Sequence, residues 1–149
     1  MGEQAAAIPT PGPTKDEQTL AFLAQFLQIF TGFIAPLVIY LMKRESRFVS
    51  FHAMQALLWQ IIYLVVIIAV FIIAFVGAFA TIMTQPQPPS GSQQPPAAVF
   101  LLFPLFWLIF MGGWVLNLVI GIVYGIKANR GEWAAYPVIG RWARRIVGA

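Results

Sequence analysis

The chain has no cysteine and one histidine, His52, among its 149 residues. Disulfide scaffolds and cysteine-based zinc sites are therefore excluded, as is any cofactor site that needs several histidines, and no cofactor is expected. Charge is scarce too. Only 9% of residues are Asp, Glu, Lys or Arg, against roughly 25% in an ordinary soluble domain. With 60% of the chain hydrophobic, too few polar side chains remain to cover a surface in water. This composition points to lipid as the surroundings.

Residues 20–42, LAFLAQFLQIFTGFIAPLVIYLM, hold no charge in 23 positions. As a helix they would extend about 35 Å, slightly more than a hydrocarbon core of about 30 Å. A second uncharged stretch, 48–83, is too long for one straight crossing and too poor in turn residues for two. Its last part, 59–83, is expected to span. FVSFHAMQALL at 48–58 is expected to lie in the interface or form submerged first turns, with a re-entrant element as the alternative. The third segment, 99–126, is apolar except for Asn117 and carries Pro104 in its first turns, where a missing backbone donor costs least.

The expected fold is thus an all-α integral membrane protein with three transmembrane helices, plus interfacial helical segments before the second span and at the C-terminus. Residues 1–19, with three prolines before Lys15, read as a flexible tail without a secretory cleavage pattern, and 20–147 as a single membrane domain. The uncharged stretch TQPQPPSGSQQPP has five prolines in 13 residues and makes 84–98 a hydrated extracytoplasmic loop. Of nine Lys and Arg, one is in the tail, none is in the proline-rich loop, and eight follow the first or third span. The positive-inside rule then predicts a bacterial cytoplasmic (inner) membrane protein with its N-terminus outside and its C-terminus inside.

Polar residues in these spans need partners. Gly113, Asn117, Gly121 and Gly125 share one stripe of the third span, with Asn117 near mid-bilayer, and form a small-xxx-small surface for a neighbouring helix. Gln25, Gln28, Gly32 and Pro36 form a second polar and small face on the first span, so the first and third spans are expected to touch. The glutamines would satisfy each other or Asn117; the alternative is a hydrated groove lined by Gln25, Gln28 and Asn117. His52, Gln55 and Trp59 share a helix face at the cytoplasmic boundary, suited to anchoring at headgroups and bonding to the connecting loop or a partner. After the third span, Val138 to Val147 reads as a short interfacial helix. There Arg141, Arg144 and Arg145, with Trp142 and Ile146 on another side, would meet anionic headgroups or a neighbouring subunit. Nucleic acid is not an expected partner, because the positive charges follow the membrane pattern and no soluble module presents them.

At RFVSFHAMQALLWQ and YGIKANRGEWAAYPVIG, the chain resembles a family of small bacterial membrane proteins similar to the Tic-twenty component of the chloroplast inner-envelope protein-import machinery. The resemblance covers about Thr19 to Arg145. It is carried by Phe48, Val49, Phe51, His52, Ala53 and Gln55, and by Ala128, Asn129, Gly131, Tyr136, Pro137 and Gly140. It implies no catalytic residues. The plastid relatives imply four spans, both ends on one side and a place in a translocon, whereas the spans counted here are three with opposite ends. The expected function is a non-enzymatic accessory or structural subunit packing against other membrane protein subunits in a larger complex; the alternative is a pore or carrier component of a translocation or transport assembly.

Overall fold

A computed structural model of the protein describes residues 12–84 and 97–148. Most of the expected tail and nearly all of the proline-rich loop lie outside the described residues. The elements in chain order are α1 (Lys15–Thr31), α2 (Ile34–Met42), α3 (Arg47–Thr84), α4 (Ala97–Asn129) and α5 (Ile139–Val147). The described residues contain no strand.

The first helix begins at Lys15, inside the expected tail. Thr14 caps it: its hydroxyl accepts from the Glu17 amide at 3.3 Å, and the Glu17 carboxylate accepts from the Thr14 amide at 2.8 Å. This reciprocal box satisfies two donors that a helix start otherwise leaves free.

The expected first span is not one straight helix. It breaks at Gly32, whose φ of 60° suits a residue without Cβ. Pro36, in the first turn of α2, has no amide to continue the ladder back to the Gly32 carbonyl. The chain then doubles back. Thr14, Glu17 and Leu20 line one surface pocket together with Lys43, Glu45 and Ser46, and the Ser46 hydroxyl donates to Glu17 at 2.6 Å. A straight helix would place the two ends of this segment about 35 Å apart. α1 and α2 therefore form a hairpin with both ends at one level.

α3 runs beside α1 in the same direction. Gln25 donates to the His52 carbonyl at 3.0 Å, and Gln60 donates to the Gln28 carbonyl at 3.1 Å. α4 returns antiparallel to α1: Gly121 lies against Gln25 and Ile29, Gly125 against Phe22, and Gly131 against Gln18 and Pro13. Residues 48–58 are neither a separate interfacial segment nor a re-entrant one. They are the first turns of α3 and the centre of the molecule, with Phe48 through Leu57 all buried.

Two helices are long and apolar enough to cross a membrane, Arg47–Thr84 and Phe100–Asn129. Their far portions, from Ile61 to Thr84 and from Phe100 to Leu116, contain no buried residue. They meet through Tyr63 against Gly113 and Phe71 against Phe106. Exposed Val65, Phe71, Phe75, Leu108 and Val115 along this pair suit lipid rather than water. The protein is an all-helical membrane protein, its described residues closely packed at one end and consisting of two helices at the other.

Candidate functional site

At the packed end, amide and aromatic side chains from four parts of the chain meet. Asn117 Oδ1 accepts from Gln60 Nε2 at 2.8 Å and from Trp59 Nε1 at 2.9 Å. Gln60 continues to the Gln28 carbonyl, and Gln28 Nε2 donates to Gln25 Oε1 at 3.3 Å and to the Tyr136 hydroxyl at 3.1 Å. The Tyr136 hydroxyl donates in turn to Gln25. Burial pushes the Tyr136 phenol above its ordinary range, so the group stays protonated and keeps that donor. Gln25, Gln28 and Gln55 are wholly buried. A buried carboxamide is costly unless its donors and acceptors find partners, and here neighbouring side chains and backbone groups supply them for all but Gln28 Oε1.

A second layer binds α3 to the segment after α4. His52 Nε2 faces the Glu132 carbonyl at 3.0 Å, so that nitrogen carries the proton and Nδ1 is the bare one. Gln55 Nε2 donates to the Ala134 carbonyl at 3.2 Å, while Gln55 Oε1 accepts from the Tyr136 amide at 2.6 Å. Phe48 and Phe51 bracket Trp133, with ring centroids at 5.2 and 5.5 Å. Two sequence motifs distant in the chain thus form one unit, the first providing side chains and the second a backbone that needs them.

The second motif is built for that purpose. α4 ends in a Schellman cap: the Glu132 amide donates to the Lys127 carbonyl at 3.0 Å and the Gly131 amide to that of Ala128 at 2.9 Å. Gly131 supplies the required positive φ of 78°. Val138, at φ 65° and ψ −58°, sits at the centre of a γ-turn closed by the Ile139 amide on the Pro137 carbonyl at 2.7 Å. Positive φ is strained for a β-branched residue, and this is the rarer form of the turn. A Cβ on Gly140 would lie 2.5 Å from Ala135 Cβ, so only glycine lets α5 start against this loop.

The structure separates the expected small-residue stripe into two halves. Gly121 and Gly125 face α1, whereas Gly113 and Asn117 face α3. The first and third apolar segments do touch, and the glutamines of α1 bond each other. They reach Asn117 only through Gln60, a residue that sequence reasoning passed over although it stands in an apolar segment as Gln25 does. Tyr136 was visible only as part of the second motif. Gly32 lines no polar face; it is the hinge between α1 and α2.

His52, Gln55 and Trp59 are bonded within the protein. His52 and Gln55 are wholly buried, and all three spend their donors on protein acceptors. α5 does form, with Ile139, Gly140 and Ala143 turned inward, and Ala143 clusters with Phe51, Met54 and Leu57. Its Arg141, Trp142, Arg144 and Arg145 are exposed, with the Arg144 guanidinium 5.5 Å from the Phe51 ring centre.

The described residues hold no group of three or more His, Cys, Asp or Glu arranged to bind a metal ion. Comparison with curated proteins and with solved structures found no match. The family model of the magnetosome magnetite crystal formation proteins matches residues 16–143. That match agrees with a small bacterial membrane-protein family and carries no link to the plastid import component. It spans α1, both long helices and the paired motifs. The chain belongs to the magnetosome magnetite crystal formation protein family.

Proposed function

We propose that this protein is a non-enzymatic accessory subunit of a magnetosome membrane complex, crossing the bilayer twice and presenting its packed, basic end to the cytoplasm. The observation that carries this reading is the placement of charge. Lys15, Lys43, Arg44, Arg47, Lys127, Arg130, Arg141, Arg144 and Arg145 all belong to the end where α1 begins, α2 meets α3, and α4 meets α5. The proline-rich segment between α3 and α4 in the sequence has no charge. With α1 and α2 as a re-entrant hairpin, the positive-inside rule is met by all nine residues, and the start of α1 and the end of α5 face the cytoplasm. This replaces the arrangement of three crossings with an outside N-terminus.

A structural rather than chemical role is supported by the way the polar network spends its donors inside the protein. Its members bond each other and the backbone, and none is Asp, Glu, Lys or Arg. A pore would need Gln25, Gln28 and Asn117 turned toward water, whereas here they hold helices together. The same network leaves outer faces of the long helices free for lipid or for partner subunits. Mild-detergent extraction from cells at native expression, followed by the mass and composition of the intact particle, tests the subunit reading. A particle larger than one chain, with other membrane proteins in fixed proportion, is expected. A lone monomer overturns it.

A further inference from the structure

We propose that this protein is a membrane-curvature element: the α1–α2 hairpin wedges into the leaflet on the basic side, so the protein favours bilayer that is convex on that side. The inference rests on the two-crossing arrangement above, and adds to it a function that this arrangement alone does not require.

The wedge is a matter of cross-section. Past Gln60 and Asn117 the described molecule consists of α3 and α4 only, while below them α1 stands beside both and α2 stands beside α1 and α3. With helix diameters of about 10–12 Å, each added helix occupies about 80–110 Å² in the membrane plane. The hairpin therefore adds about 160–220 Å² to one leaflet and nothing to the other. Its depth fits one leaflet. From Glu17 to Thr31 the rise is about 21 Å; after a headgroup layer of about 5–7 Å, the turn at Gly32 stands near the bilayer midplane.

Lipid is the occupant of the hairpin's outer face. Phe30, Phe33, Ile34, Val38, Leu41 and Met42 are exposed there, from the turn down to the level where Lys43 and Arg44 begin. Apolar side chains ending at a collar of cations match acyl chains under anionic headgroups. Val119, Ile122 and Val123 on α4, which packs on α1, are exposed apolar residues as well. On α5, exposed Trp142 and Ile146 beside Arg141 and Arg145 add a second apolar and basic surface at the same end.

A wedge bends a bilayer only if it does not collapse. Here the hairpin is pinned: Gln25 holds the His52 carbonyl, Gln28 holds Tyr136, and Gln60 holds the Gln28 carbonyl. Ser46 fastens the start of α1 to the start of α3. The area mismatch is consequently passed to the lipid.

The test uses the full chain, labelled with a fluorophore at Gly12→Cys, in giant vesicles of phosphatidylcholine and phosphatidylglycerol from which a thin tube is drawn outward. Molecules whose label is reached by an impermeant quencher have the basic end outside. These are expected to be severalfold denser on the tube than on the parent vesicle, and increasingly so as the tube narrows; molecules in the opposite orientation are expected to be depleted. Equal density on tube and vesicle in both orientations overturns the proposal, and so does the reverse preference. The variant Phe30→Ser/Phe33→Ser/Val38→Ser, altered only at exposed positions, is expected to insert through α3 and α4 and to lose the enrichment. If that variant does not insert, the contrast between orientations in the parent chain still decides. Labelling of Gly12→Cys and Glu132→Cys from opposite faces of the membrane would break the two-crossing reading itself, whereas labelling from one face without sorting breaks the curvature proposal alone.

Discussion

At the scale of residues, the protein solves one problem repeatedly: a polar group in an apolar helix must find a partner or move the helix. Asn117 finds two donors, Gln60 two acceptors, and Tyr136 serves as donor and acceptor between Gln25 and Gln28. The buried side-chain atoms left over among the described residues, Gln28 Oε1 and His52 Nδ1, are both acceptors, the less costly kind to leave free. Glycines let the amide-bearing helices come close enough. A Cβ at Gly121 would stand 2.8 Å from Ile29 Cγ1 and 2.9 Å from the Gln25 carbonyl oxygen, while Val119 is about half exposed. Gly121→Leu is therefore expected to lower stability by about 1–3 kcal/mol or more, as overpacking does, and Val119→Leu to leave it nearly unchanged. Thermal unfolding of both variants in detergent measures the difference; equal melting temperatures would contradict the α1–α4 contact. The need for partners was legible at Gln25, Gln28 and Asn117. Who the partners are was not, because Gln60 and Tyr136 are brought to them by packing across long stretches of chain.

At the scale of elements, caps and hinges decide what hydropathy leaves open. The stretch 20–42 has the length and apolarity of a span, yet Gly32 and Pro36 break it and the return of α2 brings Lys43 back to the start of α1. The clasp there is titratable. The Ser46 hydroxyl bond, followed by the Thr14 amide, holds the Glu17 carboxyl below its usual value of 4.5. A carboxylate whose folded pKa is depressed contributes stability that is whole above its unfolded value and is lost as pH falls through the folded one. The parent protein is thus expected to lose stability from about pH 5 downward more steeply than Ser46→Ala, which lacks the clasp. Ser46 also caps α3 by accepting from the Val49 amide at 3.2 Å, so the variant starts lower at neutral pH and the gap narrows in acid to the pH-independent loss of that cap. Parallel pH profiles would show that the clasp adds nothing. The box from Thr14 to Glu17 is local in sequence, yet the reading of 1–19 as a flexible tail passed over it; the hairpin between α1 and α2 required knowing which ends touch.

At the scale of the whole molecule, the membrane sorts charge from apolar surface, and the arrangement follows from where the hairpin returns. With no native cysteine, single cysteines report sides cleanly. In the cytoplasmic membrane of a heterologous bacterium, Ser92→Cys is expected to react with an impermeant maleimide from outside intact cells. Gly12→Cys and Glu132→Cys are expected to react only after permeabilisation. Gly12→Cys reacting from outside would restore the three-crossing arrangement.

Composition alone determined that the chain lives in lipid, and hydropathy located the two long helices, because the burial of apolar side chains and the cost of bare charge in hydrocarbon are local properties. The position of cations relative to these helices was equally local and readable. Only the tertiary structure decided that the first apolar segment turns back, that residues 48–58 form a packed centre, and that Lys15 joins the other eight cations. These depend on hydrogen bonds between residues far apart in sequence, such as Glu17 with Ser46, Gln60 with Asn117 and Gln55 with Tyr136. No periodicity within one helix encodes such pairings.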